Sequence, residues 1–288
     1  MADRLLVCTD LDRTLIPNGP ESESPQARRC FAALVAHSEV TLAYVSGRDR
    51  SLVEKAIVNY CLPVPEFVVS DVGTTIYQLA DNSRWEQQSA WEEEIAQDWA
   101  GSNHADLKAL LHDLPDLRLQ EPAKQNRFKL SYYVPLQSDR EALAAVIRHR
   151  LKTAGTRARL IWSTDDPQGI GLLDILPARA SKYHAVEALM KLHGFNDANT
   201  VFCGDSGNDI EVLASHIPAV LVANARPDVR ELARRLADET GHADRLYIAR
   251  GGFLEMNGHY SGGMLEGIVH FHPQALEWLT LHEGGCMQ

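Results

Sequence analysis

Five short apolar runs, each closing on a small or acidic residue, constrain this chain more than any other feature. Residues 5–9 run into Asp10, 40–45 into Ser46, 67–69 into Ser70, 200–203 into Gly204 and 219–223 into Asn224. None alternates apolar with polar, which is the pattern of strands buried on both faces of a parallel sheet. Helical spacing fills the gaps, over 26–37, 49–60, 182–193 and 208–214. Strand–helix alternation of this kind predicts a doubly wound, parallel-sheet (Rossmann-like) α/β domain. Ligands of such sheets bind beyond the carboxyl ends of the strands, so the residues that close the runs are the first place to look for function.

The middle of the chain obeys a different rule. Residues 83–100 read as a polar, acidic helix carrying Trp85, Trp91 and Trp99, and 105–113 as a second helix. Over 127–134 the pattern alternates, with Phe128, Leu130, Tyr132 and Val134 on one face and Arg127, Lys129, Ser131 and Tyr133 on the other. That is a half-buried strand of an antiparallel sheet. A helix over 139–153 and strands over 157–163 and 171–176 complete an inserted α+β domain. The expected division is a core of 1–82 and 178–288, interrupted by an insert of 83–177. The 288 residues suffice for two such units. The tail, 251–267, is glycine-rich, and 264–271 reads as a short helix.

Twenty-eight Lys and Arg against 39 Asp and Glu leave a net charge of −11. That excess of acid argues against nucleic acid or an anionic membrane surface as the partner. It also means that an anionic substrate would need local positive charge, from a metal or a few placed cations. No run approaches the ~20 apolar residues of a membrane span, and the first residues lack the basic and apolar regions of a signal peptide. The five cysteines (Cys8, Cys30, Cys61, Cys203 and Cys286) are scattered, with no CxxC pair. They form neither a disulfide framework nor a zinc cluster, and a cytoplasmic location is expected.

Four motifs follow the predicted strands in order. Asp10-Leu11-Asp12-Arg13-Thr14 places two carboxylates at i, i+2; one can attack phosphorus while the other manages a proton. In Ser46-Gly47-Arg48 a small hydroxyl and bare amides suit phosphate oxygens. Lys182 opens a helix after the insert, where an ammonium can neutralise both carboxylate and phosphate. Gly204-Asp205-Ser206-Gly207-Asn208-Asp209 adds two carboxylates at i, i+4, suited to a hard cation with oxygen ligands. Crowded at one sheet edge, these acids would repel one another without Mg²⁺ and Lys182.

The ordered set resembles the haloacid dehalogenase (HAD) superfamily of phosphatases, with the insert placed like a type C2 cap. The stretches LLVCTDLDRTL, LAYVSGRDRS, GTTIY, FKLSYY, LLDILPARASK, VFCGDSGNDIEVL and GGMLEGIVHF further resemble the sucrose-phosphate phosphatase family. That resemblance implies an Mg²⁺-dependent sugar-phosphate phosphatase acting through an aspartyl-phosphate. Asp10 would be the nucleophile and a metal ligand. Asp12 would be the general acid and base, with its backbone carbonyl facing the metal. Asp205 and Asp209 would complete the metal shell, and Ser46, Gly47 and Lys182 would hold the phosphoryl group, with Asn208 beside it. Sucrose 6-phosphate is the expected substrate, other glycosyl phosphates such as mannosylfructose-phosphate or glucosylglycerol-phosphate are the alternatives, and a sugar-phosphate synthase is a candidate partner. A non-catalytic partner of such a synthase is a further alternative, which the intact Asp10, Asp12, Lys182, Asp205 and Asp209 set argues against. One departure is visible: the family often has Lys-Gly where this chain has Lys182-Tyr183-His184.

Weaker signals remain. Lys129 would reach sugar or phosphate if the insert covers the site, and is otherwise a solvated lysine. Asp174, set between apolar neighbours, is a candidate substrate contact. Arg48 is expected to cap or pair with an acid, the three tryptophans to pack against the insert's sheet, and His259, His270 and His272 to be surface or edge residues.

Overall fold

The computed structural model describes residues 4–80, 84–165 and 168–279. Eight strands form the larger sheet: β1 (Leu5–Thr9), β2 (Val40–Val45), β3 (Phe67–Ser70), β4 (Thr75–Leu79), β5 (Trp85–Gln87), β10 (Thr200–Gly204), β11 (Ala219–Leu221) and β12 (Leu246–Ile248). Their spatial order is β12-β11-β10-β1-β2-β3-β4-β5. The six strands from β12 to β3 are parallel, and β4 and β5 continue the sheet antiparallel. From β1 the chain winds outward one way through β2 and β3; from β10 it winds the other way. The switch point therefore lies between β1 and β10, where Asp10 and Asp205 emerge.

Burial on both faces explains the unbroken apolar runs. Leu6 and Cys8 belong to one core cluster, Leu5 and Val7 to the other. One face is covered by helices Ala27–Val35, Arg50–Asn59 and Tyr260–Phe271, and the opposite face by Lys182–His193, Ile210–Leu213 and Pro227–Thr240. The predicted α/β class and its mostly parallel sheet are thus what the chain adopts.

Four further strands, β6 (Arg118–Leu119), β7 (Leu130–Val134), β8 (Ala158–Asp165) and β9 (Ile170–Pro177), form a separate antiparallel sheet ordered β6-β7-β9-β8. Leu130, Tyr132, Val134, Leu173 and Ile175 turn to the core shared with Leu107, Leu143, Ile147 and Leu151 of helices His104–Leu111 and Arg140–Thr153. The alternation across β7 leaves Ser131 and Asp174, paired in register, on the other face.

Some boundaries differ from expectation. The start of the single helix expected over 83–100 lies outside the described residues. From Trp85 the segment is a strand, then helix Ser89–Ala96, then a 3₁₀ turn. Trp85 packs edge-on against Tyr77 of β4, with Arg50 over both rings, and this cross-strand cluster outweighs the local helical pattern. Trp91 and Trp99 are buried as packing residues. The glycine-rich tail is helical from Tyr260 rather than 264. A Cβ on Gly267 would lie 2.3 Å from Val220 Cγ2 of β11, so glycine lets this helix lie directly on the sheet. Strand β12 carried no signal that its three half-buried residues could have announced. Cys8, Cys30, Cys61 and Cys203 are free thiols; Cys286 lies outside the described residues. Among the described residues, no helix is long and apolar enough to cross a membrane.

Candidate active site

Asp10 leaves β1 at the switch point. Its Oδ1 accepts from the Leu11 amide at 2.7 Å and its Oδ2 lies 3.0 Å from Lys182 Nζ. Lys182 opens its helix behind the N-cap Ser181 and is 1% exposed. The same ammonium donates to Asp209 Oδ1 at 2.7 Å. Asp209 Oδ2 accepts from the amides of Asp205 and Ser206 at 3.1 and 3.0 Å, so the turn after β10 is closed on its own acid. Gly204 is required here: a Cβ would stand 2.6 Å from Asp209 Cγ. Asp205 accepts from Thr14 Oγ1 at 3.4 Å and lies 3.4 Å from Arg13 Nε.

Asp10, Asp205 and Asp209, all buried, each offer an oxygen within 4.8 Å of the others. Three carboxylates face one buried ammonium and the partly exposed Arg13, which leaves negative charge uncompensated among buried side chains. Burial first, then the neighbouring acids, drive the Asp10 carboxyl far above its ordinary value although Lys182 opposes them. Burial and Asp209 likewise push Asp205 up to about 6. A hard divalent cation with oxygen ligands fits this donor set and would return these acids to their ionised forms.

Asp12 is near but turned differently. Its carboxylate accepts from Arg48 Nη2 at 2.6 Å, Arg48 Nε at 2.8 Å and Asn18 Nδ2 at 2.7 Å. Burial would raise its pKa, but the Arg48 fork and Asn18 outweigh burial and hold it below the usual value. The Asp12 side chain thus stands outside the three-acid cluster. Arg48 does what a placed guanidinium does best, bidentate capture of a carboxylate.

A cavity of about 320 Å³ is lined by Asp10, Asp12, Arg13, Gly47, Arg48, Leu52, Lys124, Asp205, Ser206 and Asn208. It shares Gly47, Ser206 and Asn208 with a larger one of about 940 Å³, which runs beneath β8 and β9. Arg159, Ile161, Trp162, Ser163 and Asp174 line the larger space from the antiparallel sheet, facing Lys182, Gly207 and Glu211. Ser46 is fully buried, its Oγ accepting from the Arg48 amide at 3.2 Å. Asn208 accepts from Ser206 Oγ at 2.8 Å.

The two insert residues singled out from sequence have partners. Lys129 is 7% exposed and lies 3.6 Å from Asp71, the residue after β3. Asp174 accepts from Ser131 Oγ at 2.5 Å. Around Asp71 the backbone is strained: Asp71 and Val72 have φ of 52° and 61°, a region that β-branched residues rarely enter. Gly73, with φ of 95°, has no room for a Cβ, which would meet the Ser181 carbonyl carbon at 2.4 Å. Asn126 and Trp91 donate to Thr74 Oγ1 and the Gly73 carbonyl at 2.9 and 3.0 Å, pinning this loop. Asp71 was missed although it follows an apolar run, the same signal that exposed Asp10 and Asp205. Lys124, Arg159, Glu211 and Arg226 were missed because no local pattern marks them as lining these cavities.

A doubly wound sheet with this acid cluster and lysine at its switch point defines a hydrolase of the HAD superfamily. The family model for sucrose-6F-phosphate phosphohydrolase matches residues 3–272, and the chain belongs to that family. A HAD-like hydrolase of Nitrosococcus oceani, whose name gives no substrate, is 52% identical over 97% of this chain and 75% of its own. Sucrose-phosphatase 1 of Nicotiana tabacum is 27% identical over 91% of this chain; the match spans 60% of the tobacco protein's length. In structure, the sucrose-phosphatase of Synechocystis sp. PCC6803, solved with sucrose and phosphate, superposes with a TM-score of 0.70 at 24% identity over 93% of this chain and 98% of that one.

Proposed function

We propose that this chain is an Mg²⁺-dependent sugar-phosphate monoesterase whose preferred substrate is sucrose 6-phosphate. The observation that carries the reading is the joint cavity: three clustered acids and Lys182 at one end, and a space of about 940 Å³ under the antiparallel sheet at the other. That volume lies at the upper end of small-molecule pockets, enough for a two-ring sugar. Residues 83–177 act as the cap and 1–82 with 178–288 as the core, except that Trp85–Gln87 joins the edge of the core's eight-stranded sheet. Asp10, Asp205 and Asp209 would hold Mg²⁺, with the backbone carbonyl of Asp12 as a further donor. The ion would supply charge neutralisation, so that an anionic nucleophile tolerates an anionic ester.

Asp10 attacks phosphorus. The new carboxylate–phosphorus bond forms as the bond to the sugar oxygen breaks, and Asp12 gives its proton to that oxygen. Water then attacks the phosphorus of the aspartyl-phosphate, Asp12 takes the water proton, phosphate leaves, and the Asp10 carboxylate is restored. The resting Asp12, ionised in its Arg48 fork, has to gain a proton first; the arriving phosphate dianion favours this by raising its pKa. Lys182, Ser46, Gly47 and Asn208 hold the phosphoryl oxygens, where preorganised donors contribute most of the acceleration. Lys129 and Asp174 belong to the sugar side, Lys129 positioning the strained 71–73 loop through Asp71. A sugar-phosphate synthase is the class of enzyme that would supply the substrate, in the cytoplasm.

A panel of sugar phosphates, ranked by kcat/KM with Mg²⁺ present, tests the reading. Sucrose 6-phosphate should lead mannosylfructose-phosphate, glucosylglycerol-phosphate and simple hexose phosphates. A flat ranking defeats the substrate assignment; no hydrolysis of any member defeats the phosphatase assignment.

A further inference from the structure

Six of the ten residues lining the 320 Å³ cavity lie in the first two motif segments and their flanks, and three in the segment after β10; the remaining one, Lys124, lies between β6 and β7. It ends the 3₁₀ turn Pro122–Lys124, whose Pro122 carbonyl accepts from the Gln125 amide. The turn lies against the antiparallel sheet at Ser131, whose single hydroxyl proton is shared between Asp174 at 2.5 Å and the Lys124 carbonyl at 3.1 Å. Gln125 ties it there by donating to the Gln120 and Ser131 carbonyls at 3.1 and 2.9 Å. The side chain is exposed, but its backbone is fixed to the sheet.

The cations of this cavity differ in what they already hold. Arg48 is committed to Asp12, and Arg13 is shared between Glu21 at 3.2 Å and Asp205 at 3.4 Å. Lys182, just behind, is taken by Asp10 and Asp209. Among the described residues, no carboxylate lies within 4.0 Å of Lys124 Nζ in an ion pair. Its nearest electrostatic neighbour is Glu121, fully exposed at the start of the same turn and too far for an ion pair. Lys124 thus brings to the cavity a weakly compensated ammonium, where the other cations are held in close ion pairs, in a chain of net charge −11.

We propose that Lys124 is a phosphate-binding residue: its ammonium contacts the non-bridging oxygens of the phosphoryl group, delivered from the antiparallel sheet to a site otherwise built from the parallel one. Resting on the reading of this cavity as the phosphoryl site, it goes further in making phosphate affinity depend on the position of the insert. The three other cations hold their acids before substrate arrives, so they offset charge already present. Lys124, facing only the solvated Glu121 at longer range, gains a close anionic partner when the dianion enters. A lysine suits this role because it acts as a compact point charge without a fixed fork geometry.

The test is calorimetric titration of inorganic phosphate into the full chain with saturating Mg²⁺, comparing wild type with K124Q and K124R. Loss of one charged contact to a partly solvated dianion should weaken phosphate about tenfold in K124Q, and K124R should recover most of it. Added salt should weaken phosphate binding less in K124Q than in wild type, since one long-range attraction is gone. Equal phosphate affinity in wild type and K124Q overturns the proposal, as does absence of phosphate binding by the wild type. A Lys124-dependent phosphate affinity in a protein that hydrolyses no phosphate ester would uphold this inference while removing the proposed function. A melting midpoint of K124Q equal to that of wild type confirms that the exposed substitution leaves the fold intact.

Discussion

Removing the divalent cation should destabilise the fold in a strongly pH-dependent way. In the metal-free protein Asp205 ionises at about 6 rather than at its ordinary 3.8. Ionising it in place therefore costs on the order of 3 kcal/mol relative to the unfolded chain. The folded-state pKa is raised, so the associated stability is complete below about pH 4, the unfolded value, and is lost as pH climbs through 6. Asp10, raised further by burial and its acidic neighbours, acts in the same direction towards pH 8. Asp12 has its pKa lowered, so its contribution is lost only on acidification below the ordinary carboxylate range and does not confuse the window. A bound cation favours the ionised acids and cancels the penalty. Thermal unfolding with Mg²⁺ and with excess chelator, at pH 5 and at pH 8, measures this. The Mg²⁺-induced rise in Tm should be small at pH 5 and roughly 6–12 °C at pH 8, taking ~2–4 °C per kcal/mol for a chain of this size. A rise equal at the two pH values, or larger at pH 5, would refute the buried acid cluster as the cation site.

Other substitutions separate the parts of the site. Asp10→Asn should keep the wild-type fold by circular dichroism while hydrolysis of any phosphomonoester falls at least about a thousandfold, because an amide oxygen is a poor nucleophile. Gly204→Ala puts a methyl 2.6 Å from Asp209 Cγ; we expect a loss of about 1–3 kcal/mol in chemical denaturation and a diminished Mg²⁺ effect on Tm, and an unchanged Mg²⁺ effect would mean Asp209 is not where its environment places it. Arg159 Nη1 and Nη2 grip Glu211 at 2.7 and 3.1 Å across the larger cavity. Arg159→Ala should raise KM several-fold with Tm within about 4 °C of wild type, since a partly exposed pair adds about 1 kcal/mol or less to stability, and an unchanged KM would show that the pair does not position the antiparallel sheet.

The parallel core was legible because both faces of its strands are buried, and burial writes itself into sequence as an uninterrupted apolar run. The same rule exposed Asp10, which closes such a run, and Asp205, one residue beyond another, and the motif turn carried Asp209. It failed where stability is collective. Trp85 lies in a segment whose helical pattern is locally sound, yet its partners Tyr77 and Arg50 lie at other places in the chain. The helix expected from 264 starts four residues earlier because glycines allow its close approach: a Cβ at Gly263 would stand 2.1 Å from the Gly258 carbonyl oxygen and one at Gly267 2.3 Å from Val220 Cγ2. The insert's contributions were least legible. Lys129 alternates as a surface lysine should, and only the fold brings Asp71 to it. Lys124 lies in a polar turn that nothing in the sequence distinguishes from solvated loop.

The stereochemical course at phosphorus bears most directly on whether Asp10 opens the reaction by attacking the ester. Hydrolysis of a phosphomonoester made chiral with oxygen isotopes and sulfur should proceed with overall retention, because two successive in-line displacements each invert the centre. Inversion would mean that water strikes the ester in a single step, leaving the carboxylate of residue 10 no part as nucleophile.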